Sequence, residues 1–147
     1  MKTIQSTILI HQPVERVFEF FMDPQKDPVW QPEVVESSTL EAEPGGAGVR
    51  TRTKARGFAG LTLEVIGETL ECVPNQKLTS RMREVHGWIN SLSQWRFESA
   101  ADGTQVTVQH DVELHGWLRL LGFLVVAGAQ RKIDGDMLRL KELLEKK

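Results

Sequence analysis

Apolar residues in this chain switch between two spacings, and the switches divide it into strands and helices. Ile4, Ile8 and Ile10 alternate with polar residues through Lys2–His11 and predict a strand. Gln12-Pro13 opens a helix: proline takes the tolerated first position, Glu15 sits in the first turn, and Val14, Val17, Phe18 and Phe21 share a face. Asp23-Pro24 ends it, and a short second helical turn from Asp27 to Trp30 stops at Pro32. Alternation then returns. Glu33–Leu40 reads as a strand, followed by a loop holding Pro44, Gly45, Gly46 and Gly48. Val49, Thr51, Thr53 and Ala55 alternate with Arg50, Arg52, Lys54 and Arg56, a half-buried antiparallel strand with a solvated basic face. After a turn at Gly57–Gly60, Leu61, Leu63 and Val65 point inward, which puts Glu64 and Glu68 outside. Lys77–Val85 is a further strand, with His86-Gly87 as the next turn.

The last hairpin carries the strongest local signal. Ile89–Ser99 runs into Asp102-Gly103, a two-residue turn pair. Centring the turn there sets Phe97 opposite Val108, Trp95 opposite His110 and Ser93 opposite Val112. Val106, Val108, His110, Val112 and Leu114 then share one face, which places a histidine on the apolar side beside an indole.

From Trp117 to Lys147 the period becomes helical. Leu118, Gly122, Val125, Val126, Ala129, Ile133, Leu140, Leu143 and Leu144 form one stripe, interrupted by Asp136. An arginine near the sheet rim, or solvent beyond the core's end, would satisfy that carboxylate. The first half is also apolar on its other side (Leu120, Phe123, Leu124, Ala127), so that side needs a cover: nearby loops, a second copy of the chain, or a membrane surface. Gly122 and Ala129 leave space on the inner stripe, either for close helix–sheet packing or for a ligand. The order of elements predicts an α+β fold: two short helices after the first strand, then a curved antiparallel sheet wrapped around the long C-terminal helix. A strongly curved sheet cannot meet a straight helix along its whole length, and the mismatch predicts a cavity.

Composition narrows the class. The 147 residues suit one domain, 1–147, and 40% hydrophobic with 26% charged residues is ordinary for a globular protein. A net charge of -2 without a basic cluster gives no case for nucleic acid. The lone Cys72 allows no internal disulfide, and no His/Cys/Asp/Glu set has metal-ligand spacing, so neither a metal nor a cofactor is expected. With no signal-like segment and no apolar run long enough to span a bilayer, the expectation is a cytoplasmic protein without stable membrane insertion.

Several of these residues resemble a known superfamily. Pro13-Val14-Glu15-Arg16-Val17-Phe18, Asp23-Pro24, Trp30-Gln31-Pro32, Gly46–Arg50, the Trp95-x-Phe97 strand, the Asp102-Gly103-Thr104 turn and the closing helix are together similar to START-like (SRPBCC) domains. These are also called Bet v 1-like, or the polyketide cyclase/dehydrase and lipid-transport superfamily. The resemblance covers essentially the full chain. It implies a helix-grip fold, in which a seven-stranded sheet holds the C-terminal helix around an apolar cavity. It also implies a ligand among lipids, sterols, hormones or polyketides. Some members are cyclases, others carriers or interaction modules, so the resemblance carries over the cavity and no catalytic role.

Three functions follow as alternatives. The first is binding of a small hydrophobic ligand (lipid, isoprenoid, aromatic or polyketide-like), with Trp30, Thr53, Phe58, Leu63, Met82, Ser93, Trp95, Phe97, Val108, His110, Val112, Leu118, Gly122 and Val125 lining its site. The second is a cyclase or dehydratase with His110 as general base, since burial favours the neutral imidazole. The third is a protein-interaction module or homodimer through the outer face of the helix's first half. Glu84 shares parity with Leu78, Ser80 and Met82, but its place at a strand's end favours release to solvent.

Overall fold

The computed structural model describes residues 2–23, 26–31, 34–41, 50–56 and 62–146. Strand β1 (Lys2–Ile10) is followed by helices α1 (Val14–Met22) and α2 (Asp27–Trp30). Six strands come next: β2 (Val34–Glu41), β3 (Arg50–Arg56), β4 (Thr62–Val73), β5 (Lys77–Glu84), β6 (Ile89–Ala100) and β7 (Gly103–Leu114). A 3-10 helix (Gly116–Leu121) then leads into α3 (Gly122–Glu145). Among the described residues seven strands form one antiparallel sheet, ordered β1-β7-β6-β5-β4-β3-β2, so the first strand closes on the last. This is the helix-grip arrangement: a curved sheet around a long C-terminal helix, with two helices after the first strand.

Alternation decides which side chains meet the helix. Ile4 and Ile10 on β1, Trp95 and Phe97 on β6, and Val106 and Val108 on β7 are all buried. The core they enter also takes Val17 of α1, Trp30 of α2, Leu78 of β5 and Met137, Leu140 and Leu144 of α3. It is an aromatic plug. Phe21 lies 4.5 Å from Trp95 between ring centroids, Phe18 is 5.2 Å from Phe97, and Trp30 is 6.1 Å from Trp95. Polar bonds fasten the same end. Lys141 Nζ donates to Leu9 O at 2.7 Å, Gln12 Nε2 to Leu144 O at 2.7 Å, and His11 N–H to Glu145 at 2.8 Å.

Two sequence expectations need correcting. The closing helix is not continuous from Trp117. Its first turns are 3-10, with the Gly122 N–H bonded to Arg119 O. Position 121 is a leucine, which offers no side-chain oxygen to cap the helix that follows. The last hairpin also turns one residue earlier than the Asp102-Gly103 pair suggested: Ala100 pairs with Gly103, so Ala101 and Asp102 make the turn. Gly103 belongs to the ladder because β1 presses on it. A Cβ there would lie 2.1 Å from Ile10 O, at a φ of +154°. Consequently Trp95 faces Val108, Phe97 faces Val106 and Ser93 faces His110, in place of the expected pairs. A slip of two residues preserves parity, so every side chain keeps its face.

Candidate functional site

The hollow opens where the aromatic plug ends. A cavity of about 240 Å³ separates α3 from the sheet. Ile4 of β1, Val65 of β4, Ile89 of β6, and Val112 and Leu114 of β7 make its sheet wall, and Val125, Ala129 and Ile133 come from α3. Among the described residues the side chains there are mid-sized or small, and none is aromatic apart from the imidazole of His110. That is why space remains: the described strands carry no tryptophan or phenylalanine here to cross to the helix. The volume lies just under the roughly 300–1,000 Å³ of drug-sized ligand sites, which suits a compact molecule.

Four polar groups interrupt the apolar wall: Ser91, His110, Glu84 and Lys132. His110 stands mid-strand, with Ile4 as its β1 neighbour and Ser93 as its β6 neighbour. Its Nδ1 lies 2.6 Å from the Oγ of fully buried Ser93. Trp95 meets its ring edge-to-face at 6.0 Å. Burial pushes the imidazole down to about 4, the positive charge of Lys132 adds to this, and Asp111 partly opposes it. At neutral pH the ring is therefore uncharged. Ser93 bonds one ring nitrogen, and Nε2 lies outside that pair.

Glu84 contradicts its sequence expectation: it is 1% exposed. The backbone N–H groups of His86 and Trp88 donate to its Oε1 at 2.8 and 3.2 Å, and His86 Nδ1 lies 2.6 Å from its Oε2. The carboxylate ties down the β5–β6 turn, and two backbone donors replace the water it gave up. His86 stacks on Trp88 at 4.4 Å, and Trp88 meets Trp117 at 5.7 Å. Asp136 is likewise buried. From its own helix, Arg139 lies 3.4 Å and Lys132 3.9 Å from its carboxylate.

Among the described residues no three His, Cys, Asp or Glu side chains come together as a metal site. No helix is long and apolar enough to cross a membrane. A second groove, about 320 Å³, lies on the sheet face turned away from α3, between Arg50, Ile66, Glu68, Arg81 and Arg83. Its lining is mostly charged.

Polyketide cyclase / dehydrase and lipid transport is the description of a family model that matches residues 1–145. The chain belongs to this family. No curated protein matches it. Solved structures share the fold of this cyclase/dehydrase and lipid-transport domain at low identity. Zhui aromatase/cyclase from a Streptomyces species is 17% identical with a TM-score of 0.83, covering 99% of this chain and 94% of its own. A Thermus thermophilus protein is 23% identical with a TM-score of 0.79, covering 97% of each chain. Ara h 8.0201 is 15% identical with a TM-score of 0.74, covering 99% of each.

In this cyclase/dehydrase and lipid-transport domain the candidate residues divide. Met82, His110, Val112 and Val125 line the cavity, and Ser93 supports it through His110. Trp30, Trp95, Phe97 and Val108 do not line it. They fill the aromatic plug, because α1 and α2 bring Phe18, Phe21 and Trp30 against them. Leu118, Gly122, Thr53 and Leu63 lie off the cavity wall, and Phe58 falls outside the described residues. Among the described residues a Cβ on Gly122 would meet only Leu114 Cδ1, at 3.8 Å, so their packing does not demand the glycine. Lys132 is one of the lining residues that sequence reasoning missed, with Ser91, Ile89 and Ile133 among the others. It stands seven positions after Val125, on the same helical face, a spacing that could have found it. Leu120 and Phe123 on the outer face are 85% and 73% exposed.

Proposed function

We propose that this protein binds a small hydrophobic molecule, such as a lipid, isoprenoid, aromatic or polyketide-like compound, between its sheet and α3. The observation that carries the reading is the apolar hollow of about 240 Å³ at the point where sheet–helix packing lapses. Membership of a family described by cyclase, dehydrase and lipid-transport functions agrees with it. Apolar burial would supply most of the affinity, at about 25 cal/mol per Å² before association costs. A thermal-shift panel of lipids, isoprenoids and fused aromatics tests this. Stabilisation by at least one class is expected, and no shift with any class would refute it.

A second reading, an enzyme of cyclase or dehydratase type, draws on the Ser93–His110 pair. If Ser93 oriented the ring with Nδ1–H donating to Oγ, Nε2 would be free to take a proton from an activated methylene. Against it, an imidazole near pKa 4 is a weak base at neutral pH. Loss of turnover in His110→Ala with ligand binding retained would support the enzyme. Unchanged turnover would remove it. The exposed Leu120 and Phe123 support a third reading, contact with a second copy or another protein. An unchanged mass and unchanged partner capture in Phe123→Asp would argue against that.

A further inference from the structure

Three titratable groups line the hollow: Lys132 from α3, Glu84 from β5, and His110. Asp136 stands beside Lys132, and Asp111 lies on the other face of β7, where Thr3 donates to it. Glu84 is already committed, since its oxygens take two backbone N–H groups and the His86 ring. Lys132 is different. Its side chain is 38% exposed, it lines the cavity, and its ion-pair distance to Asp136 is 3.9 Å, beyond hydrogen-bond reach. Asp136 also meets Arg139, at 3.4 Å. A purely apolar guest would strip water from the ammonium and offer nothing in return. An anionic oxygen in the same place would come within the hydrogen-bond distance that Asp136, at 3.9 Å, does not reach, in surroundings where a charge-assisted bond is strong.

His110 fits the same guest. With the Ser93 hydroxyl donating to Nδ1, the neutral ring carries its proton on Nε2 and becomes a donor towards the cavity. We propose that the cavity selects small apolar acids, holding the ligand's carboxylate between Lys132 and His110 and its apolar body on Ile4, Val65, Val112 and Ile133. This rests on the ligand-binding reading above and names the ligand's class. It assigns His110 a donor role where the enzymatic reading needs an acceptor.

Matched probes separate the two levels. Binding of 2-naphthoate and of its uncharged methyl ester is measured by titration calorimetry on the full chain. The acid binds roughly tenfold tighter or more, the worth of one charge-assisted bond. Lys132→Met removes that preference, whereas Lys132→Arg keeps it. The imidazole signals of His110, followed by NMR, titrate at higher pH in the naphthoate complex than in the ester complex. An ester bound as tightly as the acid, or a preference that survives Lys132→Met, overturns the proposal and leaves the apolar pocket standing. Binding of neither probe overturns the proposal, and the ligand-binding reading falls with it only if the thermal-shift panel also gives no stabilisation.

Discussion

The two ends of the grip are built from the same sheet and the same helix, yet one is solid and the other hollow. At the solid end, β6 and β7 present Trp95, Phe97, Val106 and Val108 to Met137, Leu140 and Leu144, and α1 and α2 add the rings of Phe18, Phe20, Phe21 and Trp30. At the hollow end the same strands present Ser91, His110 and Val112 to Ala129 and Lys132. Backbone geometry is shared; side-chain volume is not. On the proposed reading, stability and binding fall to different stretches of the same elements, and each can be altered with limited damage to the other.

Leu140 is 0% exposed within the plug, so Leu140→Ala should cost about 2–5 kcal/mol in denaturant unfolding. Val125→Ala, beside space that already exists, should cost well under half of that. Equal losses would erase the contrast between the ends. Next in size is the pH response. The folded-state value of His110 lies near 4 and its ordinary value is 6.5, so the unfolded chain binds more protons between those limits. The stability His110 contributes is complete above 6.5 and is lost as the pH falls towards 4. The loss should be about 2–3 kcal/mol, and His110→Gln should flatten the unfolding curve over that window.

Filling the hollow sharpens the comparison further. Ala129→Leu should shift stability by less than about 1.5 kcal/mol while weakening binding of a fused aromatic probe at least tenfold. A large loss of stability would mean that the hollow end is as tightly packed as the plug. The smallest effect belongs to Gly128, whose Cβ would meet nothing within 4 Å. Gly128→Ala should raise stability by about 1 kcal/mol by unfolding measurements and leave probe affinity unchanged.

Much of the fold could be read in the chain because face assignment depends on parity alone. Ile4, Trp95, Val108 and His110 kept their inward side even though the hairpin register moved by two residues. The site was less legible for the same reason. Parity says that Trp95 and His110 share a face, but not that α1 and α2 bury the first while leaving space beside the second. Long-range pairing decided what local pattern could not. Ser93 became the partner of His110 through β6–β7 register. Glu84 was retained inside by backbone N–H groups two and four residues further along, which no alternation reports. Lys132 was hidden by its chemistry, since a lysine on a helical stripe ordinarily marks where the stripe ends.

The pairing of β1 with β7, and the bonds from the end of α3 to Leu9, His11 and Gln12, also bear on how the chain is made. On a ribosome the first strand emerges long before β7 or α3 exists, and its apolar residues wait until the rest of the domain has been made. Folding of this protein is therefore a late event. A nascent chain released before β7 would carry an orphan strand, with Ile4, Ile8 and Ile10 open to whatever chaperone or aggregate reaches them first.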